Sequence, residues 1–268
     1  MTTAAVQAPL RERATGSRRY RQILWLLTSR DLRVRYSTSA LGYLWSILDP
    51  LLMASIYWFV FTQVFKRDVG EEPYIVFLLT ALLPWMWFNG AVSDSTRAFL
   101  REAKLVRSTK IPRTIWVNRL VLSKGIEFVF SIPVIAVFAI LGGAKITPWV
   151  ALLPVALVLQ SVLTAGVGLI VAPLVVFFRD LERAVKLTLR FLFYASPIIY
   201  SSRDLPGDIH LWAAFNPLSG LFSLYRASFF ASELDWFLVG TSAAMSVVLL
   251  AIGLAVFART ERAVLKEI

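Results

Sequence analysis

No cysteine occurs anywhere in the 268 residues. Disulfides, thiolate metal sites and thiol nucleophiles are therefore excluded. There is one histidine, His210, which removes poly-histidine metal sites. Charge is scarce, with Asp, Glu, Lys and Arg making up 17% of the chain. Acid is the scarcer sign: 17 Asp plus Glu stand against 28 Lys plus Arg, a formal net charge of +11. Catalytic signatures are missing too. There is no G-x-x-x-x-G-K-[ST] loop to cradle phosphates, no H-E-x-x-H, and no Asp-rich pair suited to magnesium. Gly142-Gly143 and Gly166-x-Gly168 are isolated and fit close helix contacts better than phosphate loops. The chain is expected to bind no metal and no cofactor, and any use of ATP would have to come from another polypeptide.

Apolar surface, by contrast, is abundant. The chain is 57% hydrophobic, with a mean hydropathy of +0.67. A soluble domain uses about 45–50% apolar residues and could not hide this much. A basic, strongly apolar chain fits a membrane protein with charged connections better than a nucleic-acid binder. The expected fold class is all-α and integral to the membrane, with six spans.

A helix needs about 20 apolar residues to cross hydrocarbon. The uncharged stretches predict spans at about 43–65, 73–94, 124–142, 148–178, 185–202 and 236–258, forming one transmembrane domain over 43–258. The run 146–178 holds 33 uncharged residues and gives the clearest signal. Its Pro154 and Pro173 predict a kink or excess length. The fifth span is weaker, with Lys186 and Arg190 in its first turns. Residues 204–232 are broken by Asn216-Pro217 and Gly220. If they crossed, the sixth span would put Arg259, Arg262 and Lys266 on the wrong side. They are expected instead to form a re-entrant helical hairpin on the outer face, buried against protein.

Lys and Arg set the orientation. Twenty-three fall in the N-terminal segment, residues 95–124, residues 179–190 and the C-terminal tail; five fall in the alternate connections. Both termini are therefore expected in the cytoplasm, with 259–268 as a short tail. Residues 1–17 look disordered, and 1–22 lack the apolar core of a secretory signal. Residues 18–36 read as an amphipathic helix at the inner membrane surface, because Tyr20, Ile23, Leu24, Leu27 and Val34 recur near helical spacing. A solvated basic arm that only sets topology is the plainer alternative.

Three acids, Asp49, Asp94 and Glu127, lie toward the cytoplasmic ends of the first three spans. Structural ion pairs or caps are favoured there over a proton relay, which would want an acid near mid-membrane. Aromatic residues cluster as Tyr57, Trp58 and Phe59, then Trp85, Trp87 and Phe88, then Phe191, Tyr194 and Tyr200. Flat rings can stack on the C–H faces of sugars; they also pack helices together. Residues 95–124 suggest a short amphipathic helix that docks on a soluble partner. Asp94 or Ser95 would cap it, and Pro112 would stop it.

Several motifs together resemble one family. Arg30-Asp31-Leu32-Arg33-Val34-Arg35-Tyr36, Leu41-Gly42-Tyr43-Leu44-Trp45 and Asp49-Pro50-Leu51 look like the opening of the membrane subunits of type-2 ABC exporters. The likeness is to those exporting O-antigen, teichoic acid and related polysaccharides. Glu102-Ala103-Lys104-Leu105-Val106, then Ile111-Pro112-Arg113, is similar to their coupling segment. Arg179-Asp180-Leu181, Ser196-Pro197-Ile198-Ile199-Tyr200 and Asn216-Pro217-Leu218 are similar to their fifth span and the hairpin after it. Asp49 and Glu102 depart from the pattern, where the family often has Asn. The look is nearest to actinobacterial members, whose implied cargo is lipid-linked galactan.

The resemblance implies a plasma-membrane homodimer with two copies of an ATP-binding subunit. It implies ATPase coupling through Phe99, Leu100, Arg101, Glu102, Lys104, Leu105 and Arg107. Lipid-diphosphate entry would fall to Arg30, Arg33 and Arg35, which could equally serve anionic membrane lipids. The aromatic residues above would line the channel, and Pro206, Trp212, Asn216 and Pro217 would form the outer gate. Two other classes stay open: a polyprenyl-linked membrane glycosyltransferase, which would want an acidic cluster in a cytoplasmic loop, and a passive channel or scaffold, which would need no docking helix.

Overall fold

A computed structural model describes residues 16–37, 42–64, 70–109, 111–205 and 213–268. Regular structure among them is all helical. Helix α1 covers Gly16–Ser37. Helix α2, Trp45–Trp58, runs on into a π-helical stretch, Phe59–Val64. Helix α3 is Tyr74–Ser95, α4 is Ala103–Ser108 and α5 is Ile115–Gly142. A 3₁₀ turn, Pro148–Leu152, leads into α6, Leu153–Phe177. Helix α7 is Leu181–Ala195, α8 is Pro217–Ala227 and α9 is Trp236–Glu267.

Local chemistry sets the helix ends. Asp235 caps α9 by accepting from the backbone N–H groups of Phe237 and Leu238. Asn216 caps α8 in the same way through Leu218. Gly143, at φ 70°, supplies the left-handed residue that ends α5.

Four helical stretches are long and apolar enough to cross a membrane: Tyr74–Ser95, Ile115–Gly142, Pro148–Phe177 and Trp236–Glu267. The other two expected spans look different. Helix α2 reaches crossing length only together with its π-helical continuation. Helix α7 has 15 residues and ends at Ala195, well short of the expected 202. Pro197 is the cause, because it disfavours helix at the residue before it. Helix α5 starts nine residues before the expected 124. Arg119 makes those residues look like loop, but Asp31 holds its charge there.

The helices sort the connections to two ends. At the basic end, Arg30 reaches Glu102 at 2.5 Å, Arg97 reaches Glu182 at 2.6 Å and Arg113 lies 3.7 Å from Glu261. At the opposite end, Ser232 donates to Glu71 at 2.7 Å, and Thr147 N–H donates to the Ser228 carbonyl at 2.9 Å. Trp149 and Trp236 meet there edge to face, with ring centroids 5.9 Å apart. Helix α8 belongs to neither end alone. Its start lies beside the end of α7, where Asn216 donates to Ser196 at 2.7 Å. Its last carbonyl, on Ala227, accepts from the Thr147 hydroxyl at the opposite end. All its residues from Leu218 onward are buried.

The tightest seam joins α6 and α9. A Cβ on Gly166 would lie 2.7 Å from the backbone nitrogen of Leu250, and one on Gly253 would strike the Gly166 carbonyl oxygen. Helix α8 crosses α9 as closely, because a Cβ on Gly220 would strike the Leu238 carbonyl. Small residues of this kind let apolar helices associate through van der Waals contact without a hydrophobic driving force.

Candidate functional site: docking end and aromatic groove

At the basic end the connection after α3 is knitted to α1 and α5. Arg119 is buried at 4% exposure, and one of its guanidinium nitrogens lies 2.8 Å from both Asp31 oxygens. Glu102 accepts from Arg30 and stands 3.8 Å from Arg119. Arg35 bridges Asp94 at 3.0 Å and Glu127 at 2.7 Å, and Lys124 also donates to Glu127. Asp94 and Glu127 are thus ion-paired, whereas Asp49 is exposed. Tyr20 accepts from Asn118 at 2.8 Å and so holds the start of α1 against α5.

The sequence places a helix over about 99–107. The chain instead makes turns from 96 to 102 and is α-helical over Ala103–Ser108. Asp94 and Ser95 are the last residues of α3, not caps of the following helix. Phe99 points inward, 1% exposed, with its ring 6.1 Å from that of Phe257. Leu100, Arg101, Lys104 and Arg107 face outward, and Leu105 is half-buried. This connection also reaches α7. Arg97 and Lys186 both pair with Glu182, Arg97 through two bonds at 2.6 and 2.9 Å and Lys186 at 2.6 Å. The hydrogen bond from Arg97, then that from Lys186, holds the Glu182 carboxyl down at about 2.

The three arginines expected at lipid-diphosphate entry part company. Arg30 and Arg35 are engaged with carboxylates, while Arg33 is exposed.

The expected aromatic residues also divide. Tyr57, Trp85 and Tyr194 line a groove of about 520 Å³ between α2, α3 and α7. Phe193 joins them, 5.8 Å from Tyr57, 5.7 Å from Trp85 and 5.1 Å from Tyr194. Trp87 turns the other way, donating to the Val121 carbonyl at 2.9 Å and stacking on Phe128. Phe88 is buried behind Trp85. Trp58, Phe59 and Phe191 lie on the outside of the bundle. Tyr200 donates to the Tyr194 carbonyl at 3.2 Å. Sequence reasoning missed Met53, Met86, Asn89, Ser93, Lys186 and Arg190 in the groove wall. The usable signal was the i, i+4, i+8 run of Lys186, Arg190 and Tyr194 on one face of α7.

Of the expected outer gate, Asn216 and Pro217 open α8; Pro206 and Trp212 lie outside the described residues. Sequence reasoning also missed Arg226 and Glu233. Arg226 is fully buried and donates to the carbonyls of Ile198 and Tyr200 at 2.9 and 3.2 Å. It lies 3.4 Å from Glu233 and sits over the Phe77 ring at 3.6 Å. Ser201 donates to the same Glu233 at 2.6 Å. Among the described residues, no group of three or more His, Asp and Glu is placed to hold a metal ion.

A family description matches most of this chain. The model for "ABC-2 type transporter" matches residues 22–230. The chain belongs to this family. The match runs from within α1 to just past α8, so it takes in both the connection after α3 and the groove. Relatives cover nearly the whole chain. The "O-antigen export system permease protein RfbA" of Klebsiella pneumoniae is 36% identical over 238 residues, 88% of this chain and 90% of the relative. A protein of the same name from Myxococcus xanthus is 32% identical, over 86% of this chain and 89% of its own length. The "Polysialic acid transport protein KpsM" of Escherichia coli is 26% identical, over 88% and 92%.

Proposed function

We propose that this chain is the transmembrane subunit of an ATP-driven exporter. It would carry a lipid-linked polysaccharide of O-antigen, teichoic acid or galactan type from the cytoplasm to the outer face of the plasma membrane. The observation that carries the reading is the family match over 22–230 together with O-antigen permease relatives aligned along nearly their full length. In this reading the chain works as a homodimer with two ATP-binding subunits, which supply ATP and magnesium. Both termini and the basic end face the cytoplasm. Six passes are made, with α7 as a short fifth span and α8 as the re-entrant element on the outer side. The outward-facing Leu100, Arg101, Lys104 and Arg107 meet the ATPase. Glu102, Arg30 and Arg119 relay its movement to α1 and α5, and Arg97 with Glu182 relays it to α7. The aromatic groove guides sugar rings.

The test is export by the chain purified with its ATPase. Changing Leu100→Asp should leave folding unchanged, since Leu100 is exposed. It should abolish glycan export while the ATPase remains active. Full export by Leu100→Asp and Leu105→Asp together would remove the docking assignment. Glycan movement that continues without ATP would favour a passive channel.

A further inference from the structure

Helix α9 differs from the other long helices. Helices α3, α5 and α6 each carry an internal proline: Pro84, Pro133 and Pro173. A proline inside a helix removes a backbone hydrogen bond and bends the helix there. Helix α9 has no proline in 32 residues, about 48 Å at 1.5 Å per residue. It also runs on through 259–267, where the sequence suggests a tail. Those last turns are packed. Phe257 meets Phe99, and Val264 lies in the same buried apolar cluster as Leu27, Phe99, Val106 and Trp116. Leu265 and Ile268 pack against that cluster, and Glu261 lies 3.7 Å from Arg113. This end of α9 therefore holds the connection after α3. The other end holds α8. The Gly220 N–H donates to the Ser242 hydroxyl at 2.9 Å, beside the close approach of Gly220 to the Leu238 carbonyl. The Ser223 hydroxyl donates to the Glu233 carbonyl and accepts from the N–H of Asp235, the cap of α9.

We propose that α9 is a rod that carries movement of the connection after α3 across the membrane to α8. This rests on the exporter reading, in which that connection meets the ATPase. Phe257 and Val264 are the positioning residues that receive the movement, and Leu238 and Ser242 deliver it. Close-packed side chains have low compressibility and transmit strain, so a push on Phe99 or Val106 reaches α9. The connection also leads directly into α3 and α5, but each of those helices yields at its proline before the opposite end. Helix α8 cannot slide along α9 without driving the Gly220 backbone into Leu238 or breaking its bond to Ser242. It is buried from Leu218 onward and has no room to move alone. The Gly166–Gly253 contact carries α6 with the rod.

The chain has no cysteine, so Ser108→Cys or Ala231→Cys, both at exposed positions, takes a spin label without background. The first reports the connection and the second the segment just after α8. The test uses the full chain with its ATPase in nanodiscs. The distance between the labels of the two copies is read by double electron–electron resonance, before and after vanadate traps the nucleotide-bound ATPase. Both labels should shift. Val264→Asp should keep the shift at 108 and lose most of the shift at 231, and export per ATP hydrolysed should fall about fivefold with it. Val264→Ile should retain both shifts. Deletion of 263–268 removes the same contact without burying a charge and should act as Val264→Asp does. A merely structural role for Val264 would lower Tm without separating the two labels. A full shift at 231 in Val264→Asp or in the deletion overturns the rod and hands the movement to α7 through Arg97 and Glu182. Loss of the shift at 108 as well would make Val264 part of the ATPase contact and also overturns it. So does a still label at 231 in the otherwise unaltered chain while 108 moves and glycan is exported. No shift at either position, with no ATP-driven export, defeats the exporter reading instead.

Discussion

The α6–α9 seam and the α2–α3–α7 groove are built from opposite materials. At the seam two backbones touch, and Gly166 and Gly253 leave no room for a Cβ. At the groove large side chains line an open space, and α7 leaves Leu187, Phe191 and Tyr194 exposed. Close backbone contact has one good arrangement and resists deformation. A helix that meets its neighbours through flexible side chains and one surface ion-pair cluster can shift with little loss. The chain thus holds α6, α8 and α9 together as a frame, while α7 is tied to the connection after α3 through Arg97 and Glu182.

The contrast can be broken hardest at the seam. Gly166→Val pushes against the backbone of Leu249 and Leu250, which cannot rotate away. A loss above about 3 kcal/mol is expected, seen as failure to yield monodisperse protein in detergent. A normal yield would mean that the seam gives way as easily as the groove.

Next comes the buried pair that pins α1. Asp31→Ala strips the main counter-charge from Arg119. It should cost about 3 kcal/mol, at the low end for a broken buried pair because Glu102 remains nearby. The measurement is thermal unfolding, and Asp31→Ala with Arg119→Met should recover part of the loss.

The link from the docking connection to α7 should show little in stability and much in coupling. Arg97 and Glu182 are near the surface, so Glu182→Gln is expected to cost under about 0.5 kcal/mol. Export per ATP hydrolysed should nevertheless fall several-fold, and Arg97→Glu with Glu182→Arg should restore it. An unchanged ratio would leave α7 uncoupled from the docking connection.

The pH dependence of the same pair has a definite sign. The Glu182 carboxyl is lowered from 4.5 to about 2 in the folded chain. Its stabilisation is complete above pH 4.5 and is lost as pH falls through about 2. The Tm difference between wild type and Glu182→Gln should shrink across that window. A constant difference would mean that the charge does not carry the effect.

Tyr194→Ala sits at the small end. Tyr194 is exposed, so the change should stay within about 0.5 kcal/mol. A large loss of Tm would show that the groove wall is packed like the seam.

The helical class and the four longest spans were legible from uncharged runs, because hydrocarbon length imposes a strong constraint. Helix boundaries next to charge were less legible. Arg119 concealed the first turns of α5, because a sequence does not show that Asp31 will neutralise it. The end of α7 was written in Pro197, whose signal gave way to the apolar Ile198 and Ile199 that follow. The residues expected to dock lie in the connection between α3 and α5, but the inward turn of Phe99 depends on Phe257, distant in the chain. In the groove, Tyr57, Trp85 and Tyr194 were named together with rings that point elsewhere. Helical spacing gives the face of a residue, but which neighbour meets that face is a matter of tertiary packing.

Arg226 bears on how the molecule is assembled. Helix α8 carries this guanidinium beside Ser219, Gly220 and Ser223, a poor segment for entering hydrocarbon unaided. An arginine placed at the centre of a membrane costs about 2.5–3.5 kcal/mol even on the mildest scale. Its acceptors lie on the stretch after α7 and on Glu233, and its ring partner Phe77 lies on α3. The Ser223 hydroxyl likewise donates to the Glu233 carbonyl and accepts from the Asp235 N–H. Two of those groups lie C-terminal to α8 and leave the ribosome after it. Stable insertion of α8 must therefore wait for Glu233 and Asp235, which follow it in the chain.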